Sequence, residues 1–146
     1  MLIRRATYDD AKRIEEFDVF TGDRRVDHWR GELLVCVDAD DERGGADTVV
    51  GFVTFSSNLF YNRPFISFLI VREGYRRRGI AAALVGRVLD IYDGLAVWIS
   101  TEEANEPAIR LFQKLGFERK GRIEGLDHDR SVELFFCRPA TRATGR

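Results

Sequence analysis

From Phe65 to Leu89 the chain reads FISFLIVREGYRRRGIAAALVGRVL: an apolar run, a basic glycine-containing turn, then apolar residues at helical spacing. Phe65 to Val71 is rich in aromatic and β-branched residues and has the length of a buried strand. Arg72 to Arg78 is a turn with four arginines against one glutamate. From Gly79 onward Ile80, Ala83, Leu84, Val88 and Ile91 recur at helical spacing, leaving Arg87 and Asp90 for solvent. A strand, a basic turn and a helix start in that order form an anion site. The first helical turn leaves four amides unbonded, and the helix dipole adds roughly half a positive charge. Gly79 removes the side chain that would hold a phosphate off the backbone, and Ala81 keeps the next position small.

Short glycine motifs match by chance, and a run of arginines is ordinarily a solvated face. Placement at a strand-to-helix junction favours the ligand reading. A second block, Asn105-x-x-Ala108-Ile109-x-Leu111-Phe112-x-x-Leu115-Gly116-Phe117, reads as a capped amphipathic helix stopped by glycine. With Val71-x-x-x-Tyr75-Arg76-Arg77-Arg78-Gly79-Ile80-Ala81-x-x-Leu84, in this order and spacing, the chain resembles the GNAT superfamily of acetyl-CoA-dependent N-acetyltransferases.

The resemblance implies a single α/β domain over residues 1–139, with a central, mixed, mostly antiparallel sheet of about seven strands and about four flanking helices. Residues 140–146 are expected to form a disordered tail. It also implies acetyl-CoA as co-substrate. Backbone amides from Arg77 to Ala82, in the turn Arg76, Arg77, Arg78, Gly79, Ile80, Ala81, Ala82, would hold the pyrophosphate. The strand end Leu69, Ile70, Val71 would pair with the pantetheine arm, as a peptide adds to a sheet edge. Asn105 would contact the arm and Phe112 the thiol end, although an N-cap and a core aromatic are equally good readings of those two.

The implied reaction is direct attack of a neutral amine on the thioester, in a ternary complex. An alkyl amine with a pKa near 10.4 is neutral in only a few molecules per ten thousand at pH 7, so a base or water relay is needed. Many relatives carry a carboxylate at the position matching Ser100 and a tyrosine at Phe112, and this chain carries neither. A thiol with a pKa near 8.5 leaves readily as thiolate, so the missing base is the larger departure. Ser100 is expected to order a water, with Glu103 or Asp127 accepting the proton. They stand in Ser100-Thr101-Glu102-Glu103-Ala104-Asn105 and Leu126-Asp127-x-Asp129, which with Glu133 resemble a subgroup signature. His128, between two aspartates, is a second candidate base and equally a plain loop residue.

Elsewhere the chain is sparer in signals. Thr7 and Asp10 form a weaker capping box for a helix to about Phe17, and a second helix is expected from Asp23 to about Glu32. The resemblance makes Phe20, His28 and Trp29 candidates to line the acceptor pocket; the plainer readings are a core Trp29 and a surface His28. Leu33 to Asp38 and Thr48 to Ser57 are strands joined by an acidic loop with Asp38, Asp40, Asp41 and Glu42, which is more simply solvated than metal-binding. Leu95 to Ile99, Phe117 to Ile123 and Val132 to Cys137 complete the strands.

The net charge of −1 gives no general attraction to nucleic acid or a membrane, and a small anion suits the basic turn better than a polyanion does. No metal site is expected, and Cys36 and Cys137 read as buried reduced thiols of a cytoplasmic protein. The expected partner is a small-molecule or protein amine, and a homodimer is compatible. The alternative is a non-catalytic acyl-CoA-binding module of the same fold.

Overall fold

The computed structural model of the protein describes residues 1–20, 22–39 and 47–142. Eleven elements follow in chain order: β1 (Leu2–Arg5), α1 (Tyr8–Ile14), α2 (Arg24–Trp29), β2 (Leu33–Asp38), β3 (Thr48–Phe60), β4 (Arg63–Val71), α3 (Ile80–Ile91), β5 (Val97–Glu102), α4 (Glu106–Lys114), β6 (Glu118–Glu124) and β7 (Val132–Arg138). The seven strands form a mixed sheet in the order β1-β2-β3-β4-β5-β7-β6, in which β4 and β5 are parallel. The expected seven-stranded mixed architecture with four helices is therefore the observed one. The acidic residues Asp40, Asp41 and Glu42 lie outside the described residues. No helix among the described residues is long and apolar enough to cross a membrane.

The chain forms two compact units, one of Met1–Phe55 with Phe68–Asp90 and one of Ser56–Ser67 with the chain from Ile91 onward. In the first, β2 pairs with β1 and β3, and both faces of the strands are covered. Val35 pairs with Phe52, and these join Ala11 and Ile14 of α1 in the core. Cys36 pairs with Gly51 on the other face, and a Cβ at Gly51 would lie 3.3 Å from Ile80 and 3.4 Å from Leu84 of α3. Burial on both faces explains why β2 and β3 read as continuous apolar runs rather than alternating ones. The capping box forms as expected: the Thr7 hydroxyl accepts from Asp10 N, and the Asp10 carboxylate accepts from Thr7 N. α1 stops at Ile14 rather than Phe17, because Glu15, Glu16 and Phe17 each bond three residues back, tightening the chain into a turn.

In the second unit β5 pairs with β7, and β7 with β6, both antiparallel. Phe112 of α4 packs at 6.0 Å from Phe117 and 5.7 Å from Phe136, sealing one face. On the opposite face Phe60 lies 4.7 Å from Phe65, 5.5 Å from Trp98 and 5.6 Å from Phe135. β5 runs three residues beyond the expected end at Ile99, through Ser100 to Glu102. Of the expected tail, Thr141 and Arg142 both donate backbone N–H to the Gly94 carbonyl, while 143–146 lie outside the described residues. Cys36 and Cys137 are free and buried.

Candidate active site

In the first unit the β4–α3 junction is held open by its own arginines. Arg72 N donates to Val50 O at 2.7 Å, and its guanidinium bonds Val49 O and Glu16 while lying 4.5 Å from the Phe17 ring centre. Arg72 is thus spent on structure. Arg76 folds back so that Nε donates to Val71 O at 3.0 Å, tying the turn to the strand end. Arg77 (φ 63°) and Gly79 (φ 80°) take left-handed backbone, which turns the chain sharply into α3. Gly79 O then accepts from Ala83 N, and the first turn of α3 carries no acidic residue. Arg77, Arg78 and Gly79 are exposed, Ala81 and Ala82 half-buried, and Ile80 anchors the helix in the core. Together they leave outward-facing amides in a positive, glycine-opened setting, which suits a phosphate.

Leu69 and Ile70 are half-buried and Val71 buried. A Cβ on Gly51 would meet Ile70 O at 3.1 Å, so Gly51 lets β4 and α3 close together at this point. A groove of about 350 Å³ also borders the junction, lined by Ile3, Cys36, Arg78, Gly79, Ile80 and Arg87 among others.

In the second unit the chemistry sits at the ends of β5 and β7. Glu102 is in register with Glu133 and Ser100 with Phe135, so Trp98, Ser100 and Glu102 share a face with Glu133 and Phe135. Ser100 is half-buried and lies diagonally across from Glu133 on that face. Burial pushes the Glu133 carboxyl above the ordinary glutamate value; the neighbouring Ser100 hydroxyl pulls it down, and the negative charges of Glu102 and Asp127 push it up again. Glu103, by contrast, is exposed, with its carboxylate 3.8 Å from Arg122, which also pairs with Glu124. Asp127 is exposed on a loop pinned by the buried Ser131, whose hydroxyl accepts from Asp127 N and His128 N at 3.1 Å and donates to His128 O at 2.7 Å. Ligand atoms of Glu102, Asp127 and His128 all lie within 4.8 Å of one another, but all three side chains are exposed, as acidic groups commonly are without an ion.

Among the residues expected from the sequence, Ser100 therefore shares a face with Glu133 and Asp127 adds its negative charge from the loop, whereas Glu103 is turned to Arg122. Sequence reasoning placed Glu133 only in a signature and gave it no role. The signal that finds it is the strand extension, since only a β5 running to Glu102 puts Ser100 and Glu133 on one face. Asn105 Oδ1 accepts from Ala108 N at 3.3 Å as the N-cap of α4, and Phe112 is 3% exposed. Both hold α4 together. Near the N-terminus, Trp29 is not a core residue: it is 83% exposed. His28 Nδ1 is 2.9 Å from Ala6 O, and Phe20 stacks on Phe68 at 4.6 Å.

Residues 3–117 match the model of the acetyltransferase (GNAT) family. Among solved structures, a GNAT-family acetyltransferase of Bacillus cereus is 28% identical, with a TM-score of 0.78 over 97% of this chain and 98% of its own. NAA60 of Arabidopsis thaliana, crystallised with a bisubstrate analogue, is 24% identical, with a TM-score of 0.77 over 94% of this chain and 97% of its own. The same Arabidopsis protein is also solved in complex with acetyl-CoA. ML0378 of Mycobacterium leprae is 35% identical over 79 residues, which are 52% of this chain and 22% of that protein, so the chain spans about a fifth of that curated relative. With the family match covering most of the chain, both of its motifs included, the protein belongs to the GNAT family of acetyltransferases.

Proposed function

We propose that the protein transfers the acetyl group of acetyl-CoA to a primary amine, by direct attack of the amine on the thioester. The observation that carries this is the β4–α3 junction, where left-handed Arg77 and Gly79 present the amides of an acid-free helix start. In this reading the amides of residues 77–82 receive the pyrophosphate, with Arg77 and Arg78 adding charge. Leu69 to Val71 pair with the amides of the pantetheine arm, and an N–H near Val71 polarises the thioester carbonyl as it gains negative charge. Family membership supports the donor, as does the fold shared with NAA60, whose own structures hold acetyl-CoA and a bisubstrate analogue. Asn105 and Phe112, occupied in α4, are not required for the donor reading.

The test pairs two measurements. Calorimetric titration with acetyl-CoA should give saturable binding, and thiol release should follow when cadaverine, lysine methyl ester or a peptide with a free amino terminus is added. Binding without release from any amine would favour the non-catalytic acyl-CoA module, and absence of binding would sink both readings.

A further inference from the structure

We infer that the open face of the sheet in the second unit binds a small arylalkylammonium, a protonated amine joined by a short chain to an aromatic ring. Such binding goes beyond the function proposed above and needs no acetyl-CoA, so either can fail while the other stands.

α4 packs on one face of this sheet, through Phe112 against Phe136. The other face carries Phe60, whose ring lies 4.7 Å from Phe65, 5.5 Å from Trp98 and 5.6 Å from Phe135. Phe60, Phe65 and Trp98 are only half-buried in the whole chain, so part of each ring is open. Beside Phe135, in register on β6 and next to a bulge, stands Gly121. A Cβ there would meet no atom within 4 Å, and Gly121 does not adopt the left-handed backbone that favours glycine. Glycine inside a strand weakens it and packs nothing, but it leaves room over its neighbour. The rings form a patch a few side chains across, which suits a small molecule better than a length of peptide.

One step along β7 from this patch the face turns acidic. Glu133 stands directly opposite Glu102, and ligand atoms of Asp127 and His128 come within 4.8 Å of Glu102. Like charges opposite one another on paired strands destabilise a sheet. Neither Glu102, Glu133 nor Asp127 makes an ion pair among the described residues. The nearest arginine on β6, Arg122, is in register with Leu134 on the other face and pairs with Glu103 and Glu124. The fold therefore keeps a repulsion that a cation from outside would relieve. Alternate residues of a strand are about 7 Å apart, so Phe135 and Glu133 set ring and carboxylate at that spacing. A link of two or three carbons between ammonium and ring spans it, with the apolar body on the aromatic patch and the charge at the paired glutamates.

The test reads the whole chain without acetyl-CoA. Each of the two tryptophans gives one indole N–H signal in a nitrogen-15 correlation spectrum, and Trp29→Phe assigns them. Phenethylammonium at pH 7 should shift the Trp98 signal saturably, with a Kd of about 1 mM or tighter, and leave that of Trp29 in place. Two probes divide its chemistry: 3-phenylpropionate has the ring with the opposite charge, and ethylammonium has the charge without the ring. Each should bind at least about tenfold more weakly. Glu102→Gln combined with Glu133→Gln, which keeps both shapes, should weaken phenethylammonium about tenfold. Gly121→Ala should leave the melting temperature unchanged or higher and still weaken binding about threefold. The three probes act on the unaltered protein, so they decide the matter even where a variant misfolds. Equal binding of 3-phenylpropionate would reduce the face to an apolar patch, and equal binding of ethylammonium would reduce it to an acidic one. Either result, or the lack of a saturable Trp98 shift, would overturn the inference. Tighter binding of phenylalanyl-glycyl-glycine amide than of phenethylammonium would make the occupant a peptide and overturn the small-molecule assignment.

Discussion

The β4–α3 junction and the paired ends of β5 and β7 place polar chemistry at strand termini by opposite routes. At the junction the residues are contiguous, and the backbone does the work: left-handed Arg77 and Gly79 set the direction of the amides, and Arg76 clips the turn to Val71 O. At the β5–β7 end, side chains far apart in sequence meet through register, Glu102 opposite Glu133 with Ser100 on the same face. A backbone site depends on a few torsions and on what lies beneath them; a side-chain site depends on strand pairing. The two should therefore fail under different substitutions.

The largest expected effect strikes the junction from below. Gly51 lies where β3 passes under α3, and an added Cβ would approach Ile70 O to 3.1 Å, Ile80 to 3.3 Å and Leu84 to 3.4 Å. The neighbour at closest approach is backbone and cannot rotate away. Gly51→Ala should destabilise the protein by about 1–3 kcal/mol, read as a lower melting temperature. Because Ile70 belongs to the strand end proposed to hold the pantetheine arm, acetyl-CoA affinity should fall as well. If affinity held while the melting temperature dropped, the junction would tolerate a shift of β4, and the contrast drawn above would weaken.

This difference in construction also decides what the sequence made readable. The junction announces itself because one strand, one turn and one helix start are consecutive, and each carries a local signal: β-branched residues, arginines with glycine, and apolar spacing. The seven strands and four helices were readable for the same reason. The β5–β7 end was harder, because Ser100, Thr101 and Glu102 break the apolar pattern at the point where the strand continues. That face of β5 passes from Trp98 to Ser100 to Glu102, so polarity there reports which way the face looks rather than where the strand stops. Glu133 suffered the same loss, since its meaning comes from a partner strand. Trp29 shows the converse failure: a large aromatic on an expected helix favoured the core reading, yet α2 is only six residues long and Trp29 is exposed.

A smaller effect separates conformation from ligand contact within the junction. Gly74 (φ 90°) and Gly79 (φ 80°) both adopt left-handed backbone, and at neither would an added Cβ meet another atom within 4 Å. Each Gly→Ala change should therefore cost about 1–2 kcal/mol of backbone strain and little else in the unliganded protein. Only Gly79 adjoins the amides proposed to hold the pyrophosphate. Gly79→Ala should weaken acetyl-CoA binding well beyond Gly74→Ala at matched stability, as titration calorimetry can show. Equal losses would mean that the turn's conformation matters but that no phosphate approaches Gly79.

The smallest effect belongs to the β5–β7 end and has the opposite sign. Burial and the charges of Glu102 and Asp127 raise the Glu133 carboxyl above its unfolded value, so the folded protein holds this proton more tightly than the unfolded chain does. Its contribution to stability is then fully present below the ordinary glutamate pKa and is lost as pH rises through the raised, folded value. Glutamine has no proton to lose and keeps the shape of the side chain. Glu133→Gln should match wild type in stability near pH 4 and slightly exceed it at pH 8, measured by urea unfolding at the two pH values. A half-buried carboxylate whose removal adds stability is not held for the fold, whereas the bare Cα of Gly51 at the junction is. If Glu133→Gln instead destabilised the protein at pH 8, the carboxylate would be serving as a strand-end clamp, and the β5–β7 end would resemble the junction after all.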